Sequence, residues 1–89
     1  MEFEWDEAKS DTCFTERGFD FGYVLRSFFD PERRIREDRR FDYSETRYQM
    51  LGQIEGRVFC VVYTIRQQRI RIISARKANK REVKRYASG

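Results

Sequence analysis

Apolar and polar side chains alternate most regularly between Glu45 and Arg76, and that stretch predicts the sheet. From Glu45 to Ile54, Tyr48, Met50, Gly52 and Ile54 fall on one face. Glu45, Arg47, Gln49 and Gln53 fall on the other, where Leu51 is the only apolar member. This is the pattern of a half-buried strand with a polar face. Glu55-Gly56 puts glycine where a two-residue hairpin needs positive φ. Arg57 to Ile65 is apolar on both faces, Phe59, Val61, Tyr63 and Ile65 against Val58, Cys60 and Val62, and so predicts a central strand covered on both sides. Arg66-Gln67-Gln68 makes a second tight connection, and Arg69 to Arg76 runs back as a strand rich in β-branched residues. A short strand over 33–37, with Ile35 inward, precedes them across a charged connection at 38–44. The expected sheet is an antiparallel meander of strands 33–37, 46–54, 57–65 and 69–76.

Helical spacing brackets the meander. Phe3-Glu4-Trp5 alternates as a short strand with no partner specified. Asp6 reads as an N-cap for a helix to Arg17, with a narrow stripe of Ala8, Cys13 and Phe14 and with Gly18 as its left-handed C-cap. Asp20 caps a second helix with Phe21, Val24, Leu25 and Phe28 on one face, ended by Asp30-Pro31. Asn79 and Glu82 have capping-box spacing for a third helix that buries Val83 and Tyr86 and exposes Lys80, Arg81, Lys84 and Arg85. The predicted class is α+β, one domain over residues 1–89, with two helices before the meander and one after it.

Composition removes several classes of function. There is no histidine, which excludes Ser-His-Asp and Cys-His nucleophiles and most zinc sites. Glycines form no phosphate-binding loop, and no carboxylate cluster suggests Mg²⁺, so no metal or cofactor is expected. Cys13 and Cys60 read as free buried thiols in a reducing compartment. No apolar run of about 18 residues and no signal-peptide pattern is present, so the expectation is a cytoplasmic protein without membrane contact.

The distribution of charge says more than its total of +4. Residues 1–30 hold three basic and eight acidic side chains, a balance of −5; residues 31–65 hold seven and six; residues 66–89 hold nine and one, a balance of +8. A cationic C-terminal third suits a polyanion, and equally an acidic protein partner or a solvated face. RNA would need no metal, because its own 2′-hydroxyl can attack the adjacent phosphate once a base, an acid and cations are supplied.

Particular residues can fill those roles, each with a plainer alternative. Arg76, on the strand face of Ile70, Ile72 and Ser74, can fork a phosphate or pair with an N-terminal acid. Glu45 beside Arg47 can be a general base with an anion clamp, or a surface ion pair worth about 0–1 kcal/mol. Tyr63 and Tyr86 can donate a proton or stack a base, although Tyr63 also fits the core. Arg69 and Arg71 alternate with isoleucines and are expected to face solvent.

Phe3-Glu4-Trp5-Asp6 with Ala8-Lys9, Gly18 and Phe21, Arg36-Glu37-Asp38, Glu45-Thr46-Arg47, Val61-Val62-Tyr63-Thr64, and above all Ile70 to Ala78 with Glu82 and Tyr86, resemble the BrnT toxin family over nearly the whole chain. The resemblance implies a RelE-like α+β fold and a metal-independent endoribonuclease that inhibits translation. It also implies a BrnA antitoxin of ribbon-helix-helix type, which neutralises the toxin and brings the complex to operator DNA. Lys9, Glu45, Arg47, Arg76 and Tyr86 carry over by position. Within that reading Glu45 is the candidate base, and Arg47 and Arg76 bear transition-state charge. Tyr86 or Lys77 is the acid, and Lys9, Arg17 and Arg81 contact phosphate. The chain departs from the family pattern in two places, with Ser10 where the family often has asparagine and Arg17 where it often has histidine. Arginine cannot serve as a base near neutral pH, though it can hold a phosphate. The competing reading is a non-catalytic module that binds antitoxin or nucleic acid. A DNA-binding repressor is disfavoured, because neither helix-turn-helix nor ribbon-helix-helix patterning is present.

Overall fold

The computed structural model describes residues 1–40 and 44–89. Its elements are β1 (Glu2–Trp5), α1 (Glu7–Arg17), α2 (Phe21–Val24) continued by a 3-10 segment (Leu25–Phe29), β2 (Arg34–Glu37), β3 (Arg47–Ile54), β4 (Arg57–Arg66), β5 (Arg69–Lys77) and α3 (Lys80–Ser88). Positions 41–43 of the expected charged connection lie outside the described residues.

Strands β2 to β5 form the expected antiparallel meander, in the order β1-β5-β4-β3-β2. The sheet is nevertheless mixed rather than wholly antiparallel, because β1 adds parallel to β5. The alternation of β1 explains its place. Phe3 and Trp5 lie opposite Ile70 and Ile72, while Glu2 and Glu4 lie opposite Arg69 and Arg71. Arg69 Nε reaches Glu2 at 3.0 Å and Arg71 Nη1 reaches Glu4 at 3.3 Å. The two arginines expected to face solvent are therefore tied to a neighbouring strand, and opposite charges across a pair contribute about 0.2–1 kcal/mol.

The larger core lies on one sheet face, where Met50, Phe59, Val61, Tyr63, Ile70 and Ile72 meet Cys13, Phe21 and Val24. Phe3, Phe28, Tyr63 and Tyr48 form a chain of rings with centroids 5.0, 5.3 and 5.4 Å apart. The second helix is shorter than its spacing predicts and tightens to 3-10 at Leu25. Ser27 is fully buried there, and its hydroxyl donates to the Val24 carbonyl at 2.6 Å. The tightening seats Ser27 on Gly52, where a Cβ would lie 2.6 Å from the Ser27 carbonyl oxygen. Helix α1 turns Ser10 and Cys13 inward, while Phe14, expected in the buried stripe, is 60% exposed. The Ser10 hydroxyl accepts the Phe21 amide at 3.0 Å, so a polar side chain takes the inward place by satisfying an otherwise unpaired donor of α2.

On the opposite face Leu51, Val58 and Cys60 are covered by Tyr86 of α3 and by Ala78, just ahead of that helix. Both cysteines are free and buried. The face of β3 expected to be polar is thus covered, and Gln49 is buried. Its amide oxygen accepts from Arg85 at 2.7 Å and from Arg36 at 3.2 Å. Arg85 is half-buried rather than exposed, and Val83 is 42% exposed rather than packed; Glu82 is the buried residue of the helix. Ile35, expected inward, stays 48% exposed on its edge strand.

A bulge in β5 decides which residues reach this second face. Val62 pairs with Ser74 and Tyr63 with Ile72, leaving Ile73 as the extra residue. Ile70 and Ile72 therefore point into the larger core, whereas Ser74 and Arg76 turn to the other side. The expectation that all four share one face fails at this bulge, because a one-residue insertion inverts the alternation that follows it.

Candidate functional site

Strand β1 pairs only with the first half of β5, through Ile72. Helix α1 lies across the second half, where the Cys13 thiol donates to the Ala75 carbonyl at 3.6 Å. A cleft of about 270 Å³ opens along this seam, lined by Lys9, Thr12 and Arg17 from α1 and by Ile73, Ser74 and Ala75 from β5. A second cleft, of about 300 Å³, continues it where Arg17 meets Phe19, Arg76 and Lys77. Four of the eight residues singled out in the sequence, Lys9, Arg17, Arg76 and Lys77, thus share one seam. The local cause is the turn at Gly18, whose left-handed φ of 86° ends α1 with Arg17 in its last turn, beside the emerging end of β5.

These cations differ in how they are neutralised. Among the described residues no carboxylate lies within ion-pair distance of Lys9 or Lys77. Arg17 has only its chain neighbour Glu16, at 3.7 Å. Arg76, in contrast, is held by a fork: Nη1 donates to Glu82 Oε1 at 2.7 Å and Nη2 to Oε2 at 2.8 Å. Its partner is the capping-box glutamate of α3, not an acid from the N-terminal third. Glu82 Oε1 also accepts the Asn79 amide at 2.9 Å, and Asn79 Oδ1 accepts the Glu82 amide at 2.8 Å. The Arg76 hydrogen bonds hold the Glu82 carboxyl down at about 2, against burial and with help from the Asn79 amide. Burial pushes the neighbouring Cys60 thiol up to about 11, so it stays protonated.

Glu45 and Arg47 form a separate cluster. Glu45 lies just ahead of β3 rather than within it. Its Oε1 accepts from Arg66 Nε and Nη2 at 3.1 and 3.0 Å, and Oε2 lies 3.4 Å from Arg47 Nε. The Arg66 hydrogen bonds, opposed by desolvation, are the largest cause of a lowered Glu45 carboxyl. Arg47 and Arg76 share a sheet face but stand two strands and four residues apart, about 10 Å across and about 13 Å along the sheet.

Tyr86 occupies a third place. Its hydroxyl donates to Asp30 Oδ2 at 2.5 Å, with Gln53 Oε1 at 3.4 Å. Burial, then the Asp30 carboxylate, pushes the phenol up to about 12. Asp30 was legible only as a helix stop, yet it also accepts the amides of Gln53 and Glu32 at 2.7 and 2.9 Å. Burial pushes its carboxyl up, but the Tyr86 hydroxyl and these amides outweigh that and leave it lowered. Tyr63 lies in the larger core, stacked on Tyr48, and burial raises its phenol. Arg81 is exposed in the first turn of α3. Glu82, Arg66 and Asp30 were not singled out for these contacts. Only Glu82 carried a usable signal, since a capping-box glutamate six residues after an arginine can serve both.

A five-stranded mixed sheet with helices on both faces, and a seam of four cations of which Lys9 and Lys77 have no carboxylate in ion-pair distance among the described residues, defines a small basic α+β protein. The family model for the ribonuclease toxin, BrnT, of type II toxin-antitoxin systems matches residues 5–82, and the chain belongs to that family. No curated protein matches it. Membership of a type II toxin-antitoxin system implies an antitoxin partner. No helix among the described residues is long and apolar enough to cross a membrane.

Proposed function

We propose that the chain is a RelE-like, metal-independent endoribonuclease that cuts RNA at the α1–β5 seam, and that a BrnA-type ribbon-helix-helix antitoxin neutralises it. The observation that carries this reading is the alignment of Lys9 and Lys77, without a carboxylate in ion-pair distance among the described residues, and of Arg17, paired only with its exposed neighbour Glu16, beside the fixed guanidinium of Arg76. In the reaction the 2′-hydroxyl gives up its proton to solvent water, its oxygen attacks the adjacent phosphorus and the bond to the 5′-oxygen breaks. A 2′,3′-cyclic phosphate and a 5′-hydroxyl remain. Lys9, Arg17 and Arg76 meet the charge that grows on the phosphoryl oxygens, where fixed donors contribute most. Lys77 gives the leaving oxygen its proton. Glu45, an ionised carboxylate held by Arg66 and Arg47, is a weak base and is assigned to positioning Arg47 for a phosphate farther along the RNA strand. Tyr86, at about 12, is assigned to anchoring α3.

The test is incubation of the purified protein with RNA in EDTA, followed by analysis of the new ends. Cyclic phosphate ends, lost in Arg17→Ala and Lys77→Ala variants with unchanged melting temperature, support the reading. One feature of the electrostatics favours the competing binding module: the Arg66 hydrogen bonds hold the Glu45 carboxyl down, while burial and Asp30 push the Tyr86 phenol up, both away from neutral pH. Salt-sensitive RNA binding with no cleavage would establish that module instead.

A further inference from the structure

Phe14 is 60% exposed, and among the described residues it belongs to neither apolar core cluster. A lone surface phenylalanine is ordinary and carries nothing. This one, however, borders a cleft of about 390 Å³ whose wall is made by Phe19, Tyr23 and Phe59, with Arg17 and Lys77 on its rim. The wall is closely packed: Phe19 meets Phe59 edge to face at 5.0 Å, and Tyr23 meets Phe59 at 5.9 Å. Arg17 and Lys77 also line the neighbouring cleft of the cation seam, so the aromatic cleft and the seam are continuous. Asp20 sits at the same cleft, with Oδ1 accepting the Tyr23 amide at 2.9 Å.

We propose that this cleft is a nucleobase subsite, which takes the base next to the phosphate held by Arg17 and Lys77. The proposal rests on the ribonuclease reading of the seam only for the identity of the strand. Its own grounds are the exposed Phe14 ring beside the half-buried Tyr23 and the packed rings of Phe19 and Phe59, two cations with no strong carboxylate partner at the same cleft, and a volume at the low end of the range of about 300–1,000 Å³ for small-ligand sites. Stacking on aromatic side chains is how single strands are held without regard to sequence. Asp20 orients the strand, because its carboxylate repels phosphate. The backbone then lies at the Arg17–Lys77 end, and the base edge, with its amino or imino donors, lies toward Asp20.

Fluorescence anisotropy with fluorescein-labelled, 2′-O-methylated hexanucleotides, which cannot be cut, tests the subsite. Phe14→Ala should weaken binding about 5- to 150-fold, since a stacked base is worth about 1–3 kcal/mol. The dependence on salt should be unchanged, because no phosphate contact is lost. An abasic residue at one position should cost the wild type the same factor and cost Phe14→Ala nothing more. Phe14→Trp should keep or tighten binding. The proposal is overturned if Phe14→Ala binds as the wild type does, if no abasic position matters, or if the wild type does not bind. It is also overturned if the variant loses only its antitoxin, which would make the cleft a protein-docking site. Binding with these signatures but no cleavage of unmodified RNA removes the ribonuclease reading and leaves the subsite. Cleavage with an indifferent Phe14→Ala does the reverse.

Discussion

Arg17 borders every cleft along the seam: it faces Lys9 and Ser74 on one side, Arg76 and Lys77 on another, and the aromatic wall on a third. The sequence resemblance leads to the expectation of a histidine at this position, and what the arginine does there can be read from pH. Arginine stays charged throughout the working range, whereas histidine changes charge near 6.5. If Arg17 serves only as a cation, Arg17→His should cleave RNA close to the wild-type rate at pH 5.5 and lose activity as pH rises through about 6.5. Arg17→Ala should be slow at every pH. Cleavage rates of the three proteins between pH 5 and 9 decide the matter. A histidine variant that gains activity above pH 7 would show that this position wants a base.

At the scale of elements, Arg76 and α3 form one unit. The sequence displayed the capping box of Asn79 and Glu82 but not its second use, because the bulge that turns Arg76 toward α3 comes from strand pairing and not from local pattern. The Glu82 side chain is 7% exposed and that of Arg76 is 37% exposed. The folded carboxyl at about 2 lies below the ordinary value of 4.5. The stabilisation is therefore complete above pH ~4.5 and is lost as pH falls toward ~2. Partial exposure of the arginine reduces its size to roughly 1–2 kcal/mol at neutral pH. Glu82→Gln should lose that amount near pH 7 and approach the wild type near pH 2. Urea midpoints at several pH values measure it, and a loss that does not depend on pH would mean the contact is packing alone. The same geometry makes Arg76→Ala a poor probe of chemistry, since it strands a buried carboxylate. The shortened second helix has a similar origin: its apolar spacing was legible, but the fit of Ser27 on Gly52 was not.

Across the whole molecule, the antiparallel order of β2 to β5 and the ends of α1 were readable from alternation and caps. The parallel seat of β1 was not, because it depends on charges far apart in sequence. Glu2 and Glu4 neutralise Arg69 and Arg71, so the +8 balance of the C-terminal third overstates what a polyanion meets. Among the described residues, two cationic surfaces compete for a polyanion near the C-terminal third: the seam of Lys9, Arg17 and Lys77, and the exposed Lys80, Arg81 and Lys84 of α3. Counterion release separates them. Each phosphate neutralised on a single strand adds about −0.7 to the slope of log K against log salt. If the seam alone holds RNA, three contacts give a slope of about −2, or about 16-fold weaker binding from 50 to 200 mM salt. Lys9→Gln with Lys77→Gln should bring the slope to about −0.7, and Lys80→Gln with Lys84→Gln should leave it unchanged. Anisotropy titrations with an uncleavable oligonucleotide give all three slopes. The reverse pattern would move the RNA to α3 and leave the seam for the antitoxin.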